Sequence, residues 1–183
     1  MSGGDQKRLT AGKQDFSPSI TPDGQWVVYG SVVGDMSVLM RVPSQGGAPL
    51  RLTDYNADSP SVSPDGKWIA CTHIAHPNQP PSLAIVPIAG GPPEKVLELP
   101  QTSSLPPLAW TPDGLAVSFI NNINGVGNIW RQPVSGGPAT PVTHFTSGKI
   151  FNFQWSRDGR LILSRGTETI DAVLIKDFRE AGH

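Results

Sequence analysis

Four aspartates and a pair of histidines are the residues of this chain whose types and spacing could do chemistry. Asp23, Asp65, Asp113 and Asp158 recur at intervals of about 45 residues. A set of carboxylates could ligate a cation or divide acid and base work. His73 and His76 stand in a His-x-x-His spacing between Thr72 and Pro81, and two imidazoles are a start on a transition-metal site. Each set also has a plainer account. An aspartate at a turn hydrogen-bonds its own backbone two residues on, and two imidazoles with no third ligand nearby in sequence fit an exposed polar loop. A hydrolase needs a nucleophile with a base held beside it, and the chain contains neither Gly-x-Ser-x-Gly nor His-Glu-x-x-His. Gly125-x-Gly127 lacks the third glycine and the strand-to-helix context of a dinucleotide site, and reads with Asn124 as a hairpin tip. No catalytic, metal-ligating or cofactor-binding residue is assigned, and the reading is of a protein that is not an enzyme.

The elements that hold these residues are announced by their neighbours. The aspartates sit in Thr21-Pro22-Asp23-Gly24, Ser63-Pro64-Asp65-Gly66, Thr111-Pro112-Asp113-Gly114 and Ser156-Arg157-Asp158-Gly159. Proline pre-sets the first central position of a turn, aspartate braces it, and glycine (Gly24, Gly66, Gly114 and Gly159) takes the left-handed conformation that closes it. Arg157 in place of proline leaves the fourth turn less pre-organised. Before each turn comes a short apolar run: Phe16 to Ile20, Pro60 to Val62, Leu108 to Trp110, Phe151 to Trp155. After it comes another, as in Trp26-Val27-Val28-Tyr29 or Trp68-Ile69-Ala70-Cys71, with the continuous apolar character of strands buried on both faces. A variable loop, a third strand, a Gly-Gly turn at Gly46-Gly47, Gly90-Gly91 or Gly136-Gly137, and an outer strand complete the unit. Trp26, Trp68, Trp110, Trp130 and Trp155 all fall in strand runs, where aromatics fill the space between sheets rather than stack on a ligand.

Four short antiparallel strands repeated four times mark the chain as all-β, a β-propeller of four four-stranded blades spanning approximately 14-54, 55-98, 99-144 and 145-178. Gly 20 and Pro 19 suit short strands and tight turns over helices. The segment 3-10, Gly3-Gly4-Asp5-Gln6-Lys7-Arg8-Leu9-Thr10, matches Gly46 to Thr53 in its glycines and its Arg-Leu-Thr, whereas the fourth repeat stops before its own outer strand. The N-terminal strand is therefore expected to complete the last blade. Exchange between two chains, head to tail, into an eight-bladed homodimer ring is favoured over a self-closed four-bladed ring. A formal net charge of -1 and the lack of any Lys/Arg run exclude the electrostatic footprint of a nucleic-acid binder, and no apolar run approaches membrane-spanning length.

The Ser/Thr-Pro-Asp-Gly turns, the Gly-Gly turns and the Arg-Leu-Thr strand resemble the WD-like propeller repeats of the TolB-like families across essentially the whole chain. The tail from Phe151-Asn152-Phe153-Gln154-Trp155-Ser156 to Val173-Leu174-Ile175-Lys176-Asp177-Phe178 resembles the end of propellers that follow bacterial serine/threonine kinase or winged-helix regulator domains. That resemblance implies a sensor or scaffold module of a larger bacterial signalling protein, on its extracytoplasmic side.

In a four-stranded blade the loops from second to third strand share one end with the links between blades. Loops of differing length on a rigid scaffold are where recognition usually sits. The candidate interaction residues are His73, His76, Asn121, Asn122, Asn124, Arg165 and Glu168, facing an unidentified protein or small ligand. Two other functions compete with this binding module. One is the gating propeller of a prolyl-oligopeptidase-like hydrolase, and the other a natural or engineered blade fragment that self-assembles without a ligand.

Overall fold

A computed structural model describes residues 6–12, 14–76 and 79–168. Each repeat folds so that strands consecutive in sequence are neighbours in the sheet. The first blade runs β1 (Asp15–Ile20), β2 (Trp26–Val33), β3 (Met36–Pro43), β4 (Leu50–Arg51), and the second β5 (Ala57–Val62), β6 (Trp68–His73), β7 (Ser82–Pro87), β8 (Lys95–Leu97). The third runs β9 (Ser103–Trp110), β10 (Ala116–Ile123), β11 (Val126–Pro133), β12 (Thr140–Pro141), and the fourth contributes β13 (Lys149–Trp155) and β14 (Leu161–Gly166). All pairings are antiparallel, and no helix occurs among the described residues. The third strand expected at Ala172 to Ile175 lies outside the described residues.

Two strand boundaries differ from the sequence reading for one reason. The first strand of the second repeat begins at Ala57 and that of the third at Ser103, both earlier than the apolar runs suggest. Each carries a bulge: pairing skips between Asp58 and Ser61 against β6, and between Ser104 and Ala109 against β10. Ser59 bends at a φ of 52°, and Pro106 and Pro107, which have no N–H to offer a ladder, occupy the skipped stretch of β9. The outer strands are shorter than expected because a side chain replaces the last rung. Leu52 N–H donates to the Leu39 carbonyl at 2.8 Å, and the Leu39 N–H donates at 2.9 Å to Oγ1 of Thr53. Val142, Ile129 and Thr143 repeat the arrangement in the third blade at 2.7 and 2.9 Å.

Alternation along each strand turns one apolar set toward the preceding blade and the other toward the following blade. Val28 and Leu39 of the first blade meet Ile69, Cys71, Ala84 and Val86 of the second. Ala70, Leu83 and Ile85 then meet Val117, Phe119 and Trp110 of the third. Ile120 and Ile129 meet Ile150 and Phe153 of the fourth. Each Val, Leu, Ile or Phe side chain so removed from water contributes about 2 kcal/mol. Cys71 is a buried free thiol, and burial pushes its pKa up, so it behaves as a small core residue. Inner strands β1, β5, β9 and β13 touch in succession, which is the radial order of a propeller.

The N-terminal segment sits on the first blade. Arg8 Nε donates to the Thr10 carbonyl at 2.7 Å, and Arg51 Nε to the Thr53 carbonyl at 2.7 Å, so the two Arg-Leu-Thr stretches have the same local form. Leu9 and Thr10 line a cavity with Val27, Tyr29 and Val42, on the face of the first blade turned away from the second. Leu52 occupies the matching place against the second blade. Residues 6–10 belong to no strand, and residues 3–5 lie outside the described residues.

Candidate functional site

The turn aspartates are built into their turns. Oδ1 of Asp23, Asp65 and Asp113 accepts the hydroxyl of Thr21, Ser63 and Thr111 at 2.6 Å in each case, and the backbone N–H of Gln25, Lys67 and Leu115 at 3.0 to 3.1 Å. The same hydroxyls accept the N–H of Trp26, Trp68 and Ala116 at 3.0 Å. In the fourth turn Ser156 donates to Asp158 at 2.5 Å, and Arg160 pairs with the other carboxylate oxygen at 2.8 Å. The four glycines adopt φ between 70° and 82°, a conformation a side chain would strain. These hydroxyl donors, aided by the backbone N–H groups or by Arg160, hold all four carboxyls below their ordinary value of 3.8. The aspartates are one per blade, ionised and committed to the fold. Among the described residues, no group of three or more His, Cys, Asp and Glu gathers as a metal site.

The loops from second to third strand and the links between blades share the opposite end, as the repeat requires. His73 ends β6, with Nδ1 3.1 Å from the Asn56 carbonyl and its ring edge-on to Tyr55 at 5.1 Å between centroids. The Asn56 side chain accepts the Ser37 N–H at 3.2 Å, tying the first blade's loop to the link that follows it. His76 is exposed three residues on. Arg165 stacks over Phe145 at 4.2 Å and donates to the Ser147 carbonyl, and Glu168 pairs with Lys149 at 2.6 Å. Asn122 donates to Ser104 Oγ at 2.5 Å, and exposed Asn124 (φ 52°) opens the hairpin tip with Gly125. Asn121 differs from its neighbours. It is 1% exposed and accepts the Thr102 hydroxyl at 2.5 Å, so its amide braces the interior. Strand alternation carried that signal: Asn121 stands two residues from buried Phe119, on the same face.

The structure adds two hollows that no motif marked. At the loop end, a cavity of about 610 Å³ is bordered by His73, Gln79, Pro81, Ser82, Glu98 and Gln101. On the axis, at the Pro-Asp-Gly end, Ile20, Val62, Trp110 and Trp155 from all four inner strands border a hollow of about 640 Å³.

No protein-family model matches the chain, and no curated protein matches it. Solved structures do. The chain is similar to the putative TolB from Agrobacterium tumefaciens, at 23% identity and a TM-score of 0.66, over 82% of this chain and 53% of that one. It is similar to TolB from Acinetobacter baumannii, at 23% identity and a TM-score of 0.68, over 86% of this chain and 39% of that one. It also matches the β-propeller domain of the Trilobed protease from Pyrococcus furiosus, whose structure reveals an open velcro topology, at 17% identity and a TM-score of 0.53, over 73% of this chain and 44% of that one. At these identities the likeness is one of fold, a TolB-like β-propeller, and the chain spans about half or less of the length of each of these structures.

Proposed function

We propose that this chain is a non-catalytic binding module that presents the loop end of its blades to a protein or small ligand. The observation that carries the reading is the loop-end cavity. His73, Gln79, Ser82, Glu98 and Gln101 border it, with His73 and Ser82 on strands of a blade packed by apolar clusters on both faces. The resemblance of the sequence to propellers of bacterial kinases and regulators supports placing the module at the sensory end of a signalling protein, on the extracytoplasmic side.

The test is a photo-crosslinking amino acid at Asn124 in the full chain, with exposed Leu50 on an outer strand as control, exposed to extract of the parent organism. A saturable adduct at Asn124, absent at Leu50 and lost in an Asn122→Ala, Arg165→Ala double variant that still folds, supports the reading. Equal labelling at both positions overturns it.

A second reading, a propeller that gates a hydrolase, draws on the likeness to the Trilobed protease propeller. A catalytic domain beside these blades in the parent reading frame would favour it.

Completion of the ring by a second copy belongs to the same proposal. Leu9 and Thr10 rest on the first blade as Leu52 rests on the second. At the other end of the arc Ile162 is 64% exposed and Phe151 54% exposed, which leaves apolar surface for a further blade to cover.

A further inference from the structure

The groove between the second and third blades, at the Pro-Asp-Gly end, lies on the opposite side of the molecule from the loop surface. Its cavity of about 570 Å³ is bordered by Trp68, Trp110 and Ile85, with Asp65, Asp113 and Glu94 at its edge. The first blade offers the comparison. In the first blade the residue equivalent to Trp68 is Trp26, since each is the first residue of its second strand and pairs with a proline, Pro43 or Pro87. The residue equivalent to Ile85 is Arg41, because Val28 faces Arg41 where Ala70 faces Ile85. The Arg41 guanidinium lies 4.5 Å from the centre of the Trp26 ring and donates at 3.1 Å to the carbonyl of Ile88 in the next blade.

The second blade keeps the tryptophan and loses the cation. Ile85 stands where Arg41 stood, and among the described residues no cation lies over Trp68. One place before the outer strand, Pro49 of the first blade is replaced by Glu94, which borders the groove. Lys95 also borders it. Its ammonium donates at 2.8 Å to the Val134 carbonyl, the counterpart of Ile88, and so takes over the hydrogen bond of Arg41 without covering the indole. Asp65 and Asp113 engage their turns through Oδ1 alone. Although Lys67 near Asp65 and Arg131 near Asp113 offset part of the charge from outside the groove, three carboxylates thus border an aromatic wall with one ammonium among them. That is the chemistry of a cation site, and a planar guanidinium suits it better than an ammonium because it stacks and forks to carboxylate at once.

We propose that this groove binds an arginine side chain of a partner protein, whose guanidinium takes at Trp68 the place that Arg41 takes at Trp26. The experiment titrates the full chain with acetyl-Gly-Arg-Gly-amide and, as a neutral isostere, acetyl-Gly-citrulline-Gly-amide, following the Trp68 indole N–H by NMR. The arginine peptide is expected to bind at least about tenfold more tightly than the citrulline peptide. Ile85→Arg, which restores the first blade's own guanidinium, should abolish the shift of the Trp68 signal. Should that variant fail to fold, Glu94→Gln on the exposed rim should weaken arginine-peptide binding about threefold. Equal binding of the two peptides, no shift of the Trp68 signal at millimolar peptide, or unchanged affinity in Glu94→Gln overturns the proposal. Guanidinium chloride binding as tightly as the peptide overturns the assignment to a protein partner. Loop-end labelling at Asn124 and arginine-peptide binding at Trp68 read different surfaces, so either can fail without the other.

Discussion

Trp110 reaches from the third blade to the second, where its indole Nε1–H donates to the carbonyl of Ser61 at 2.8 Å. The partner is 49 residues back along the chain, on the neighbouring inner strand. Trp155 makes the next such stitch, donating to Ser118 Oγ at 3.0 Å, and Ser19 Oγ supplies the first by accepting the Val62 N–H at 3.0 Å. Neighbouring blades are therefore joined by polar bonds as well as apolar packing. Trp110 is 7% exposed. Trp110→Phe keeps most of the packing and strands the carbonyl, which should cost about 1 to 2 kcal/mol. Trp110→Ala should cost about 3 to 5 kcal/mol. Urea unfolding followed by circular dichroism checks both, and an undiminished stability in Trp110→Phe would show that the hydrogen bond contributes nothing.

Gly90 and Gly136 are the first glycines of two equivalent turns, with φ of 89° and 100°. A methyl group on Gly90 would come within 2.6 Å of the Leu52 carbonyl oxygen and 2.9 Å of its Cα, whereas one on Gly136 meets open space. Gly136→Ala should cost only the left-handed strain, about 1 to 2 kcal/mol. Gly90→Ala should cost at least about 2 kcal/mol more, because backbone from the neighbouring blade must move. Thermal unfolding of the two variants measures the difference.

The turn carboxyls lie below 3.8 in the folded chain because Thr21, Ser63, Thr111 and Ser156 donate hydroxyls to them. The folded state then binds protons less readily than the unfolded state. Their contribution to stability is present above pH 3.8 and is lost as pH falls from there through the lower folded values. The midpoint of thermal unfolding should hold level through neutral pH and fall on acidification below about pH 4. Asp113→Asn keeps an oxygen acceptor and cannot ionise, so its decline should be shallower. The turns are solvent-exposed, and salt should flatten both curves.

Light scattering on the 183-residue chain should give a mass near twice 19.5 kDa, concentration-dependent and lowered by Ile162→Asp on the exposed face of the fourth blade. A mass of 19.5 kDa at all concentrations would remove the second copy from the proposal.

Much of the fold was legible because its signals are local. Turn chemistry is decided within four residues, so Thr-Pro-Asp-Gly and Gly-Gly located the hairpins, and the apolar runs between them located β2, β6 and β10. The first strands were less legible. Ser59 and the Pro106-Pro107 pair look like strand breakers, yet in the sheet they sit in bulges, where no ladder bond is asked of them. The candidate loops were placed at the correct end by strand order alone, but Asn121 was counted with them although its side chain turns inward.

By itself the sequence determined the repeat, the strand order and the end of the blades on which each loop lies, because these follow from residue type and spacing along a single strand or turn. Only the tertiary structure decided which surfaces meet across blades. Arg41 over Trp26, Ile85 beside Trp68, and the hollow that results depend on how two strands register and how two sheets face each other. Side-chain direction becomes a contact only when a neighbour many residues away has been brought alongside.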